Sequence, residues 1–274
     1  MRTFYSFLTC ICCLLTLQVG AQSRLSFNQG HSHNDYHQQS PLVDAYHAGM
    51  GSIEADVFVR NGELCVAHDS VDISTEVTLK KMYLDPLANF YHKSGNMPYP
   101  DSSLNLQLVI DIKANHQQVL PILIRELKAY QHTFNSSVNS KAIRIVISGD
   151  MPAPNEFKNY PEYISFDGRP YINYTSEQLK RVAMISDDLK KYTKWDGIGM
   201  LPEADQDKLK LLIEQAQKQQ KPFRFWATKD NPNTWTVLNE LGVGWINTDH
   251  PEKLKQFYLH GLPNIPITLD QEAN

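Results

Sequence analysis

Cysteine is scarce. Cys10, Cys12 and Cys13 lie close to the N-terminus, and Cys65 stands alone in the rest of the chain. Once the N-terminal segment is set aside, an intramolecular disulfide framework is excluded. Long apolar runs are also lacking: the stretch from Phe4 to Gly20 is short for a membrane span, and no strongly amphipathic membrane helix is visible. Charge of either sign is not in excess, with 26 Lys and Arg against 30 Asp and Glu and a formal net charge of −4. Without a basic stripe, an RNA-binding signature or zinc-finger spacing, nucleic acid is not an expected partner. No internal repeat, low-complexity linker or sharp composition shift divides the chain. The Pro98–Ser103 and Asn135–Ser140 loops are too short to separate domains.

The N-terminus reads as a leader. Met1-Arg2-Thr3 is a short basic start, followed by the apolar stretch and then Val19-Gly20-Ala21, a small-residue cleavage site. The pattern is that of a secretory signal peptide over residues 1–21, with a mature domain of 22–274 that is secreted or periplasmic. Lipidation ranks second, because Thr9 and Ile11 are poor neighbours for a modified cysteine; a retained signal anchor ranks third.

The mature chain alternates strand and helix patterns throughout. Strands are expected at Leu25–Gly30, Ile53–Val59, Leu106–Lys113, Ala142–Ser148, Tyr163–Phe166, Trp195–Met200, Phe223–Ala227 and Gly244–Asn247, with a hairpin partner at Glu63–Ala67. Helices are expected between them, one starting at a Ser176 N-cap and one closed by Gly242. Eight strands joined by helical crossovers predict a single-domain α/β fold of the TIM-type (β/α)8 barrel class. No glycine-rich phosphate loop follows the first strand, which disfavours a dinucleotide-binding sheet.

Catalytic groups of such a barrel gather where strands end. Glu54 and Asp56 are two apart on a strand and so point to one side. Two like charges there are costly unless a cation lies between them, and oxygen ligands suit a hard divalent ion. Solvent-facing acids near a loop are the plainer alternative. Asp111-Ile112-Lys113 repeats the spacing, and His31-Ser32-His33-Asn34-Asp35 follows the first strand. Asp167-Gly168-Arg169, Trp226 with Thr228, and Asn247-Thr248-Asp249 also stand at strand ends, though Asp249, before His250-Pro251, is preferred as a helix N-cap, Trp226 and Trp235 are more often core packing, and a surface charge is the plain alternative for Arg169. Asn61-Gly62 is a strong hairpin turn signal. A two-residue turn there would set His68 opposite Ala55, on the wrong face. A three-residue loop, Arg60-Asn61-Gly62 with Gly62 left-handed, would set it opposite Glu54 and is the expected form.

Four segments together resemble the glycerophosphodiester phosphodiesterase family of the phospholipase C-like barrel superfamily. They are Gly30-His31-Ser32-His33-Asn34-Asp35-Tyr36; Ile53-Glu54-Ala55-Asp56-Val57 with Gly62 and Val66-Ala67-His68-Asp69; Val109-Ile110-Asp111-Ile112-Lys113; and Phe225-Trp226-Ala227-Thr228 with Leu241-Gly242-Val243 and Asn247-Thr248-Asp249-His250-Pro251. The resemblance implies a metal-dependent phosphoric diester hydrolase with Glu54, Asp56 and Asp111 holding Mg2+ or Ca2+. It further implies His31 and His68 as general base and acid, and reaction through a cyclic phosphate. Gly30-His31-x-x-Asn34 favours His31 as the catalytic residue, with His33 second. Lys113, Trp226 and Asn34 are expected on the substrate, a small-molecule or lipid phosphodiester, soluble head-group diesters being preferred and stable membrane insertion not expected. The chain departs from the family in lacking His-Arg-Gly at the first motif and in carrying Asp111 where Glu is usual. In these features it is more like the sphingomyelinase D branch, which leaves the substrate open, as is the oligomeric state. Two other readings are a zinc amidohydrolase-type enzyme built on His31-x-His33 and a catalytically silent binding barrel.

Overall fold

A computed structural model describes residues 27–260; the expected leader and the first residues of the expected first strand fall outside them. Eight parallel strands wind into a nearly closed barrel with helices outside. The chain runs β1 (Gly30–Ser32), α1 (Val43–Ala48), β2 (Ser52–Arg60), β3 (Glu63–Val66), α2 (Asp85–Lys93), β4 (Gln107–Ile112), α3 (His116–Leu127), α4 (Gln131–Phe134) and β5 (Arg144–Gly149). It continues with β6 (Ile164–Gly168), α5 (Ser176–Lys180), β7 (Val182–Asp188), α6 (Glu203–Lys218), β8 (Phe223–Trp226), α7 (Pro232–Glu240), β9 (Ile246–Thr248) and α8 (Pro251–His260). The sheet order is β8-β7-β6-β5-β4-β2-β1-β9, with β3 off the path against β2. A parallel bridge between Arg224 and Trp245, together with Gly244 N and Trp245 N donating to Phe223 O, draws the two edges together.

Alternation along the strands sorts side chains into two cores. Ile53, Ala55, Leu108, Ile110, Ile145 and Ile147 face outward against helix residues such as Val119 and Leu123, and all are fully buried. Val109, Val146, Ala183 and Met184 face inward, with Trp245 against them, and fill the lower barrel. The helices follow from sequence in the ordinary way. α6 buries Leu209, Ile213 and Ala216, one stripe of a 3.6-residue period, and carries Glu203 and Asp205 in its first turn and Lys218 in its last, matching the helix dipole.

Four expectations need correction. The first strand is Gly30–Ser32, and Phe27–Gln29, expected in it, forms a 3-10 turn. Trp195–Met200 is a loop, not a strand; the strand of that unit is Val182–Asp188, whose Val-Ala-Met-Ile-Ser run is buried on both faces. The helix before it is short, and its N-cap is Thr175, not Ser176. Thr175 Oγ1 accepts from Gln178 N at 3.3 Å while Gln178 Oε1 accepts from Thr175 N at 2.8 Å, a reciprocal box. The hairpin uses the two-residue turn: Arg60 pairs with Glu63, and Asn61 and Gly62 have φ of 54° and 79°. His68 still reaches the acids, because pairing with β2 ends at Val66. Ala67 N then donates to Asp56 O at 3.2 Å, and the chain turns in toward the barrel mouth.

Candidate active site

Register builds the site. Asp56 lies beside Asp111 and Asp111 beside Ser148, and across the barrel Ser186 lies beside Arg224. Asp167 Oδ2 accepts from Ser148 Oγ at 2.9 Å and from Ser186 Oγ at 2.6 Å, joining the two runs. Above the apolar plug the upper barrel is thus lined by an almost continuous polar ring.

Arg224 closes that ring. Its Nη1 donates to Glu54 Oε2 at 2.7 Å and also meets His31 Nε2, deep in the barrel. His31 is fully buried, with Nδ1 at 2.6 Å from Ser52 Oγ and Nε2 at 3.0 Å from Glu54 Oε2. Burial and then the Arg224 charge push its pKa down to about 4. Glu54 is held well below the usual carboxylate range; burial works against ionisation, but Arg224 and the His31 hydrogen bond outweigh it.

His33 lies nearer the opening, its side chain 27% exposed. Its Nδ1 is 2.8 Å from Asp249 Oδ1, and its Nε2 is 3.8 Å from Glu54 Oε1. Burial would lower its pKa, but the Asp249 hydrogen bond and the Glu54 charge raise it overall. Asp249 is therefore not a helix cap but the partner of His33, and its own amide is held by Asp230 Oδ2 at 2.7 Å. Asn34, in the left-handed region at φ 48°, turns the chain beside His33.

On the other flank His68 Nδ1 is 3.1 Å from Asp56 Oδ2, an oxygen that also accepts from Tyr36 OH at 2.7 Å and pairs with Lys113 Nζ at 2.7 Å. Lys113 Nζ also pairs with Asp111 Oδ2 at 3.0 Å. Burial alone would lower the Lys113 pKa; the two carboxylates raise it. Asp111 is raised by burial and by the Glu54 and Asp56 charges, despite Lys113. Trp226 is half-buried, two residues beyond Arg224 on the same strand face.

The structure brings the predicted residues to one mouth but not into a preformed ligand shell. Among the described residues no group of three or more His, Cys, Asp or Glu side chains is arranged to hold a metal ion. Lys113 spans Asp56 and Asp111 while Arg224 takes Glu54, so two cations of the chain occupy the acids. Among the three acids, Asp56 Oδ1 is buried with no hydrogen-bond partner. The zinc reading finds no support in His31, since both its ring nitrogens are engaged. Cavities of about 680 and 700 Å3 lie elsewhere, beside α5 and at the barrel's N-terminal end, and neither is lined by the acid–histidine cluster.

Arg224 was not legible as a site residue, and Tyr36 and Asp249, although inside the resembling segments, were given no role at the site. Arg224 sits in Phe-Arg-Phe-Trp, where one charge inside an apolar strand was the available signal. Arg169 is no ordinary surface charge either: Nη1 is 2.8 Å from Asp167 Oδ2 and donates to Ser186 Oγ at 3.0 Å.

Comparison with known proteins agrees with this geometry. A model of the AIM6-like phosphodiesterase domain matches residues 23–160. The chain belongs to that family. A model of the glycerophosphoryl diester phosphodiesterase family matches residues 222–252, the segment carrying Arg224, Trp226 and Asp249. The chain is 24% identical to Altered inheritance of mitochondria protein 6 of Eremothecium gossypii, covering 83% of this chain and 68% of that protein. It is also 24% identical to the homologous protein of Arthroderma benhamiae, covering 83% of each. A crystal structure of a glycerophosphodiester phosphodiesterase from Parabacteroides distasonis superposes with a TM-score of 0.50 at 14% identity, covering 85% of this chain and 94% of that one. The fold is that of the glycerophosphodiester phosphodiesterase barrel superfamily.

Proposed function

We propose that the chain hydrolyses glycerophosphodiesters or phospholipid head-group diesters, working outside the cytoplasm after cleavage behind Ala21. The observation that carries this reading is the pair of histidines, each held by its own carboxylate on opposite flanks of the acid cluster: His33 by Asp249 and His68 by Asp56. A substrate hydroxyl next to the phosphate gives its proton to one imidazole as its oxygen attacks phosphorus. The other imidazole protonates the departing alcohol oxygen, leaving a cyclic phosphate. Water then opens the ring with the two roles reversed. His33 fills one role in preference to His31, because His31 is fully buried beneath Arg224 and Glu54, out of reach of substrate. Lys113 offers the phosphate a positive contact, and Trp226 and Asn34 line the mouth beside it.

Glu54, Asp56 and Asp111 fit a hard divalent cation, Mg2+ or Ca2+. The donor set is all oxygen, and Asp56 Oδ1 lacks a partner. Such an ion, when bound, supplies positive charge to the phosphoryl oxygens. The test is a panel of glycerophosphodiesters, lysophospholipids, sphingomyelin and phosphoinositides, each with Mg2+, with Ca2+ and with chelator. Turnover of none of them supports the catalytically silent barrel instead, and full activity under chelation removes the metal role.

A further inference from the structure

A guanidinium inside a barrel whose chemistry calls for acids needs a reason, and the proposed reaction gives Arg224 no part. Its residue is 4% exposed, in a strand otherwise apolar. A buried ion pair is a weak source of stability, because desolvation of both charges offsets much of their attraction. This one is weaker still, since Arg224 Nε is buried without a partner. What Arg224 does is therefore sought in its effect on Glu54.

Glu54 is gripped by one oxygen. Its Oε2 accepts from Arg224 Nη1 at 2.7 Å and lies 3.0 Å from His31 Nε2. The two nitrogens touch, because both crowd onto that oxygen. The far side of His31 is fixed in turn: Gln107 Nε2 donates to Ser52 Oγ at 2.9 Å, and Ser52 Oγ is 2.6 Å from His31 Nδ1. Ser52 precedes Glu54 by two residues on β2 and so shares its strand face. A column of buried polar groups thus holds Oε2, and Oε1 is left 3.8 Å from His33 Nε2, nearer the mouth.

Charge gives the column its consequence. Glu54, Asp56 and Asp111 are three carboxylates, and the cations in contact with them are Arg224 on Glu54 and Lys113 on Asp56 and Asp111. Among these five groups the sum is one negative charge, where the acids alone would carry three. Farther round the ring Asp167 is matched by Arg169. The Lys113 side chain is 23% exposed on a flexible stem and can turn outward, but Arg224 has no such exit. A divalent ion would overshoot the remaining charge by one, and a phosphodiester anion would restore the balance. We propose that Arg224 is a positioning residue: it holds Glu54 by Oε2 and offsets its charge, so that the acids take a divalent cation tightly only together with the phosphodiester anion. This inference rests on the cation of the phosphodiesterase reading and names what controls its binding.

The test is titration calorimetry of the full chain with Ca2+ at matched ionic strength, alone and in saturating dimethyl phosphate. That diester has no neighbouring hydroxyl and cannot form a cyclic product. Wild type should bind Ca2+ about ten-fold more tightly when the diester is present. Arg224→Gln keeps a hydrogen-bond donor for Glu54 and loses the charge; it should bind Ca2+ alone about ten-fold more tightly than wild type, with the gain from dimethyl phosphate reduced to about two-fold. Arg224→Lys keeps the charge and should keep the wild-type gain. A purely structural Arg224 predicts the opposite, with Ca2+ binding weakened in Arg224→Gln and the gain intact, and that result overturns the inference. Should Arg224→Gln not fold, the other two proteins decide: equal Ca2+ affinity with and without dimethyl phosphate in wild type, or a lost gain in Arg224→Lys, overturns it. No Ca2+ binding in either condition removes the metal from the phosphodiesterase reading and this inference with it. Turnover of no diester, with the Ca2+ gain intact, removes catalysis alone.

Discussion

At the residue scale, each ionised group at the mouth is defined by its partner. Truncating His33 or His68 to Ala should lower kcat by about 10^2 to 10^4-fold, the usual contribution of a general acid or base, with the urea unfolding midpoint unmoved. His31→Ala should behave differently: it empties a buried position, so stability falls together with activity. Replacing Arg224 by Met leaves the buried Glu54 with its His31 hydrogen bond but without its guanidinium, which should cost about 3–5 kcal/mol in urea unfolding. Asp35 gives a pH signature outside the reacting groups. It is fully buried and accepts from Leu42 N, Ser32 Oγ and Tyr83 OH, yet burial lifts its pKa to about 6 from an ordinary 3.8. The folded chain therefore holds this proton more tightly than the unfolded chain does. The stabilisation is complete below pH 3.8 and is lost as pH rises through about 6, amounting to about 3 kcal/mol. Wild type minus Asp35→Asn stability should fall by that amount between pH 3.5 and 7, and a flat difference would contradict it.

Two glycines divide fold from function at the scale of elements. Gly62 sits at φ +79° with nothing within 4 Å of an added Cβ, so Gly62→Ala should cost about 1 kcal/mol of strain and leave activity intact. Gly149, at φ +72°, ends β5 against the site: a Cβ there would lie 2.3 Å from Ile112 O and 2.6 Å from Asp111 Oδ1. Gly149→Ala should weaken divalent-cation affinity as well as stability, read by titration calorimetry and urea unfolding side by side. The elements also show how far pattern reaches. Long periodic segments such as α3, α6 and β4 were legible from sequence. Val182–Asp188 was not, because a strand buried on both faces shows no alternation, and a capped helical turn at Thr175 runs straight into it. Trp195–Met200 carries the apolar residues Trp195, Ile198 and Met200, but its two glycines weaken a strand, and hydrogen bonds from Asn233 hold it as a loop.

For the whole molecule, a nearly closed barrel of eight parallel strands turns separate chain segments into one site, and binding of the proposed cation should then couple to global stability. At a concentration a hundred-fold above its dissociation constant, Mg2+ or Ca2+ should raise unfolding free energy by about 2.7 kcal/mol, and Asp56→Asn should abolish the increment. An unchanged melting temperature on adding either ion would remove the metal from the scheme.

The chain itself specified the alternation of strands and helices, the side-by-side acids at 54 and 56, and the segments carrying histidine, because periods of 2.0 and 3.6 residues and short motifs are local properties. Only closure of the barrel decided that Arg224 would lie on Glu54, that Asp249 would hold His33 rather than cap a helix, and that Lys113 would span two carboxylates. Those partners are as much as 216 residues apart in sequence, as between His33 and Asp249, and meet solely through strand register and barrel curvature. No local pattern encodes such distances.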